Sequence, residues 1–238
     1  MFQRYMRNIG PLTPEEQACL SSKTVFIAGL GGLGGHLMEH MLRVGVGRII
    51  AADGDAFNCS NLNRQLLCTE DNIGMAKADA AAHRAAIVNP SVTVTAVPQF
   101  ITEENCVDLL SDSDLVLDGL DNVDARRILA NGCDRRGIPL VHGAVRDWYA
   151  QVCVIPPNSN LLDRIYPPDT QGDGAAGCLS PLPALCASVQ AAQAILLLCG
   201  RKSSLWGKLL LIDLLHAEQA LVPLVSGDPA SAEGSFTV

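Results

Sequence analysis

The sequence predicts an α/β fold: a doubly wound, mainly parallel sheet with a C-terminal antiparallel extension. Three observations point to it. Between Lys23 and His142, short β-branched apolar runs alternate with helical patterns of about 10–15 residues, the signature of right-handed βαβ crossovers. A glycine-rich turn joins the first strand to the first long helix. Beyond Ile155 the alternation stops, and one long apolar helix is followed by two more strand-like runs.

Residues 1–22 read as an N-terminal helical arm. Thr24–Gly29 is the first strand and Leu33–Val44 a helix; Arg48–Asp53 is the second strand. A polar loop leads to the Ala-rich helix Met75–Val88 and the strand Val92–Val97. Glu103–Leu110 is helical, Leu115–Leu117 lies in a fourth strand, Asp124–Arg136 is helical and Ile138–His142 is a fifth strand. Gln151–Ile155 continues the sheet. Residues 156–178, with Pro156, Pro157, Pro167, Pro168 and several glycines, read as a mobile crossover loop. Leu182–Cys199 is interrupted by Ser188, Gln190 and Gln193, which favours a buried helix over a membrane span. Lys208–Asp213 and Ala220–Val225 are strand-like, and 226–238 reads as a flexible tail. One domain over 1–225 is therefore expected.

Seventeen basic and 25 acidic residues in 238 give a net charge of −8, which argues against a bulk electrostatic grip on nucleic acid or anionic lipid. With 48% apolar and 18% charged residues the chain can bury a sizeable core. The N-terminus carries no basic-then-apolar signal pattern, so a cytoplasmic location is expected. The nine cysteines then read as thiols, and none forms a C-x-x-C pair of the kind that holds zinc.

Gly29-Leu30-Gly31-Gly32-Leu33-Gly34 fits G-x-G-x-x-G between a strand and a helix. There the backbone can approach phosphate, and the helix start offers free N–H donors. Asp53 closes the next strand, placed to accept ribose hydroxyls. The motif alone does not separate NAD from ATP. Ser60-Asn61-Leu62-Asn63-Arg64-Gln65 and Lys77 lie on the same side of the sheet and suit phosphate oxygens, though a solvated loop would look similar. Asp118-Gly119-Leu120-Asp121-Asn122 ends the fourth strand. A carboxylate there could hold Mg²⁺, or Asp121 or Asn122 could cap the next helix, or both. His36-x-x-Glu39-His40 matches an inverted zinc-protease pattern, but it has no assignable third ligand, so polar residues of a packed helix are the preferred reading.

Together these residues resemble the MoeB, ThiF and HesA family, bacterial relatives of ubiquitin-activating enzymes. Arg4-Tyr5-Met6-Arg7, the glycine turn, Asp53-Gly54-Asp55, SNLNRQ, Lys77, Asn89-Pro90, and Asp118-x-x-Asp121-Asn122 with Arg126 carry the resemblance. Pro139-Leu140-Val141, Gln151, and Gly177, Pro181 and Gln190 extend it to about residue 213.

The resemblance implies a Rossmann-like, ThiF-type adenylation domain acting with ATP and Mg²⁺. Its substrate would be the C-terminal Gly-Gly carboxylate of a ubiquitin-like sulfur carrier, which attacks the α-phosphate and expels pyrophosphate. No general base is then needed, because a carboxylate is ionised near pH 7. It further implies nucleotide binding by Gly29, Gly31, Gly32, Gly34, Asp53, Asp55, Ser60, Asn61, Arg64, Gln65, Lys77, Asp121 and Asn122. Asp121 would hold the metal, and Arg7 would be donated across a homodimer. Arg7, Arg64, Lys77 and Asp121 are the expected catalytic set.

Two departures shape the expectation. The family's paired C-x-x-C motifs are absent, so no zinc is expected. The family's reactive cysteine falls on Asp173; Cys178, nearby, is the candidate nucleophile in its place but occupies an apolar position of the pattern. Three other classes stay open: an ATP-dependent dehydratase of a modified tRNA adenosine, a non-catalytic nucleotide sensor, and an NAD oxidoreductase. The acidic charge speaks against the first, intact Arg64, Lys77 and Asp121 against the second, and the lack of an assignable catalytic acid against the third.

Overall fold

The computed structural model describes residues 2–170 and 177–224. The tail read over 226–238, and Asp173 within the crossover, lie outside the described residues. Eight strands form one sheet in the order β3-β2-β1-β4-β5-β6-β7-β8. They are β1 Thr24–Ala28, β2 Arg48–Ala52, β3 Thr93–Val97, β4 Leu115–Asp118, β5 Leu140–Arg146, β6 Tyr149–Ile155, β7 Lys208–Asp213 and β8 Glu218–Pro223. Strands β3, β2, β1, β4 and β5 run parallel, and β5 through β8 pair antiparallel. The mainly parallel sheet and its antiparallel extension are thus as the sequence predicts.

The helices are α1 Phe2–Tyr5, α2 Pro14–Leu20, α3 Gly32–Val44, α4 Lys77–Val88, α5 Cys106–Leu109, α6 Val123–Arg136, α7 Leu161–Ile165 and α8 Pro181–Leu198. Alternating strand residues serve two cores. Val25 and Ile27 face α3, α4 and α8 on one side, while Phe26 and Ala28 face α5, α6 and α7 on the other. A parallel sheet needs both faces covered. Two expectations change. Only Cys106–Leu109 of the helix expected over Glu103–Leu110 forms, and the stretch read as a loop contains α7, whose Leu161 and Leu162 are buried.

The order of the parallel strands reverses between β1 and β4, where doubly wound sheets leave a crevice at their carboxyl ends. The two βα turns cross there. Gly29 has φ +81°, and a Cβ on it would lie 2.8 Å from the Gly119 carbonyl oxygen. A Cβ on Gly34 would lie 1.8 Å from the Gly29 carbonyl oxygen, so only glycine fits.

The long apolar α8 belongs to the core. Its Gln190, fully buried, donates from Nε2 to the carbonyls of Asp118 (2.9 Å) and Val141 (3.1 Å). The β4–β5 ladder ends at Leu117 and Val141, and the Gln190 amide fills the gap where the two strands part. Gly143 makes room: a Cβ there would sit 2.3 Å from the Gln190 side-chain carbon Cδ. Gln190→Leu strands two carbonyls but also removes the unpartnered Gln190 Oε1. The expected net loss is about 1–2 kcal/mol, read as a lower urea midpoint at constant m-value; an unchanged midpoint would refute the wedge.

Candidate nucleotide site at the carboxyl edge

The glycine turn leaves the start of α3 open. Gly31 is its N-cap, with no side chain to occupy the first N–H groups. Thirteen residues of aligned peptide dipoles make that end an anion site. The side chain of Gln65, 7% exposed, lies beside it, with Nε2 3.6 Å from where a Gly31 Cβ would be. Its Oε1 is buried without a partner. Gly32 sits between Pro183 of α8 and the Arg64 backbone.

Asp53 is buried at the end of β2. Its Oδ2 accepts from Leu30 N (2.7 Å) and its Oδ1 from Asp55 N (2.8 Å). Lys77, at the start of α4 and also buried, places Nζ 2.9 Å from Asp55 Oδ2 and 3.7 Å from Asp53 Oδ2. These three expected residues form one ionic cluster. The polar block builds itself a short 3-10 turn: Asn58 Oδ1 accepts from Ser60 N and Oγ, and Asn61 Oδ1 accepts from Asn58 N. Asn61 is therefore buried, with its Oδ1 capping the turn. Arg64 donates to the Ser60 carbonyl (2.9 Å) and to Asn63 Oδ1 (2.9 Å).

Across the crevice, Asn122 is the α6 N-cap, its Oδ1 accepting from Ala125 N at 2.8 Å. Asp121 beside it is exposed; Asn122 Nδ2 lies 3.4 Å from its Oδ1, and its charge reaches the Arg126 guanidinium. Its oxygens are left for a hard cation.

Arg7 is not brought to this edge. The arm docks at the far end of α3 and α4: Gln17 Nε2 donates to Val44 O (2.8 Å), Arg4 to Val88 O (2.6 Å), and Asn89 Nδ2 to Tyr5 OH (2.8 Å). A 13-residue helix is about 20 Å long, and that length separates the arm from the glycine turn. Cys178 ends the crossover, its carbonyl accepting from Asn63 Nδ2 at 3.1 Å. Burial pushes its thiol up, and the nearby Arg64 does not offset this, so Cys178 lacks the environment of an activated thiolate. The H-x-x-E-H residues are helix packing: Glu39 pairs with Arg43 and Arg84, and His40 meets Ser188 Oγ at 3.2 Å.

Sequence reasoning placed Asp118 in a motif without its role. The structure makes it the hub of a buried network. Its Oδ1 accepts from Leu120 N (2.9 Å), and Oδ2 from Arg126 Nε (3.2 Å) and His142 Nδ1 (2.6 Å). Arg126 also donates to the Leu120 carbonyl at 2.5 Å, so both sides of the turn bearing Asp121 are held. His142 Nε2 accepts from Gln151 Nε2 at 3.1 Å, and Gln151 also donates to Tyr166 OH at 2.7 Å. Burial pushes the Asp118 carboxyl up, but the Arg126 charge and the His142 hydrogen bond outweigh it and hold it below the usual carboxylate range. Burial pushes His142 down, so the ring is neutral. His142, Gln151 and Tyr166 come from separate segments; Gln151 was a matching position of the family pattern without a role, and no motif flagged His142 or Tyr166.

A family model described as ThiF family matches residues 4–231. The chain is 34% identical over 227 residues to the SAMP-activating enzyme E1 of Haloferax volcanii, spanning 92% of this chain and 84% of that one. It is 36% identical over 215 residues to the sulfur carrier protein adenylyltransferase of Thermus thermophilus, spanning 86% and 79%. Of solved structures, E. coli MccB with ATP superposes with a TM-score of 0.82 at 20% identity, covering 94% of this chain and 72% of that one. The E. coli tRNA N6-threonylcarbamoyladenosine dehydratase gives 0.70 at 24%, covering 84% and 95%. At these identities the two structures share the fold alone.

The network makes stability depend on pH. Below the ordinary His value of 6.5 the unfolded chain takes up a proton that buried His142 refuses, so unfolding becomes easier as pH falls. His36 and His40, also pushed down by burial, act in the same direction. Stability measured by urea unfolding should be level between about pH 7 and 8. It should then fall below about pH 6.5, by up to about 1.4 kcal/mol per unit for His142. His142→Gln should lessen that slope; an equal slope would place the proton elsewhere.

Proposed function

The chain belongs to the ThiF family, and we propose that it adenylates the C-terminal Gly-Gly carboxylate of a small ubiquitin-like sulfur carrier, consuming ATP and releasing pyrophosphate. The observation that carries this reading is the convergence at one sheet edge of an open helix start, Asp53, Arg64, Lys77 and Asp121. Phosphate would lie on the backbone of Gly31 and Gly32, and ribose on Asp53, whose oxygens keep lone pairs beyond the two backbone bonds. The Lys77 ammonium has three donors and can reach a phosphate oxygen without leaving Asp55. Arg64 adds a second cation. Asp121, an exposed carboxylate, would hold Mg²⁺, which would supply positive charge to the phosphates with few protein ligands of its own.

A carboxylate oxygen of the carrier attacks the α-phosphorus, and the bond to the bridging oxygen of pyrophosphate breaks. No proton moves. The protein's work is to hold the reactants in line and to neutralise charge that builds on the leaving group. Cys178 takes no part in this step.

Two features support a protein substrate and a paired enzyme. On the sheet face shared by Tyr149, Leu211, Ala220 and Val222, these residues are exposed beside the same edge, an apolar surface for a folded carrier. Arg7, held a helix length from its own site, would serve the site of a second copy in a homodimer. The tRNA dehydratase reading is less well supported, given the net charge of −8.

ATP–pyrophosphate exchange tests the proposal. It should require both Mg²⁺ and a carrier ending in Gly-Gly; ATP binding with no exchange for any such carrier would defeat it. Asp121→Ala should cut exchange by about two orders of magnitude or more while metal-free ATP binding persists. Arg7→Ala and Lys77→Ala chains, each inactive alone, should on mixing regain about a quarter of wild-type activity if sites are shared between copies. No regain would place Arg7 outside the site.

A further inference from the structure

Asn63 is exposed, yet both ends of its side-chain amide are engaged. Its Oδ1 accepts from Arg64 Nη1 (2.9 Å), and its Nδ2 donates to the Cys178 carbonyl (3.1 Å). Arg64 Nη1 also donates to the Ser60 carbonyl (2.9 Å). Both side-chain bonds that Arg64 forms among the described residues therefore leave from Nη1, and Nη2 and Nε keep their hydrogens for a phosphate oxygen. Gly177 and Cys178 return from the crossover and lead into α8. On their other side Asp147 N donates to Gly177 O (3.0 Å), and Asp147 pairs with Cys178 in an isolated parallel bridge. Asp147 stands at the tip of the β5–β6 hairpin, with φ +54°, a left-handed conformation that aspartate adopts in tight turns. The returning segment is thus held between the polar block and the hairpin tip.

An amide is one rigid plane, so an asparagine that holds a guanidinium at one end and a backbone carbonyl at the other ties their positions together. We propose that Asn63 is a positioning residue that carries nucleotide binding at Arg64 to Gly177 and Cys178, so that ATP orders the segment the carrier's tail must pass. The inference rests on the reading that Arg64 meets a phosphate and that the substrate is a carrier's terminal carboxylate. A phosphate on Nη2 or Nε fixes the guanidinium without taking Nη1 from Asn63 Oδ1. The amide then loses freedom to rotate, and the Cys178 carbonyl keeps its donor for more of the time. Asp147, on the far side of the segment, precedes Tyr149 of the apolar face by two residues, so a tail running from that face to the α-phosphate passes here. A first ligand that orders a segment spares the second that cost, and such coupling is reciprocal.

Two reporters in the whole chain read the segment without any carrier: hydrogen exchange of the Asp147 amide, followed by NMR, and alkylation of Cys178 by iodoacetamide. Mg-ATP, brought to saturation as judged by calorimetry, should slow both about five- to tenfold, the effect of firming one hydrogen bond. In Asn63→Ala and Asn63→Asp, again at saturation, ATP should leave both rates unchanged. Asn63→Asp is the sharper variant, because its carboxylate still accepts from Arg64 but has no donor for the Cys178 carbonyl. A wild-type chain that binds ATP without slowing either reporter, or slowing that persists in Asn63→Asp, overturns the link. With a carrier ending in Gly-Gly, a non-hydrolysable ATP analogue should tighten carrier binding about fivefold, and the carrier should tighten the analogue by the same factor. Asn63→Asp should abolish both effects; equal tightening in that variant also overturns the link. Slowed reporters with no pyrophosphate exchange for any carrier would sink the carrier reading and leave the link standing. Normal exchange with reporters indifferent to ATP would do the reverse, and a chain that binds no ATP would remove the nucleotide reading and the link together.

Discussion

A fully buried carboxylate ties the ligand edge together. Asp118 ends β4 at the strand-order reversal, and its three side-chain bonds reach the Leu120 backbone, Arg126 of α6 and His142 of β5. Its own carbonyl receives Gln190 of α8. One residue thus joins the turn presenting Asp121 to helices on both faces of the sheet. Such a pair is expensive to desolvate, and breaking a buried pair by removing one partner typically costs about 3–5 kcal/mol. The cost is met by completeness, since neutral His142 and positive Arg126 together balance the carboxylate. The extension matters here as well: Gln151 on β6 and Tyr166 after α7 close the network from the far side.

A second constraint is steric. Gly29, Gly34 and Gly119 let two βα turns pass at backbone contact, which brings the start of α3 and the end of β4 to one crevice. Gly31, Asp53, Lys77 and Asp121, from distant parts of the chain, are then placed along one edge of the sheet. The ionic cluster of Asp53, Asp55 and Lys77 is preassembled, so binding a triphosphate need not order these groups. The proposal that copies share sites draws on a distance of the opposite kind: Tyr5, Gln17 and Asn89 hold the arm at the far end of α3 from the glycine turn.

Much of this was legible in the sequence because it is local. The glycine turn, the acid closing β2 and the strand–helix alternation each follow from a few neighbouring residues, and they appear where expected. Asn122 could be read as a cap, and it is one. What was not legible depends on contacts across the chain. That Asn61, expected at the phosphates, also caps its own turn through Oδ1 shows only in the folded chain. Glu39 and His40 imitate a metal motif, and only the positions of Arg84 and Ser188 show what they do. His142, Gln151 and Tyr166 became a network only once β5, β6 and the crossover were brought side by side.

The central claim is a specific bond, between a carrier's terminal carboxylate and the α-phosphorus of ATP. Intact mass spectrometry tests it most directly: the chain is incubated with ATP, Mg²⁺ and a ubiquitin-like carrier ending in Gly-Gly, without nucleophile. The account predicts a carrier heavier by one adenylate group and a matching amount of free pyrophosphate. An unmodified carrier with ADP and phosphate as the products would contradict it.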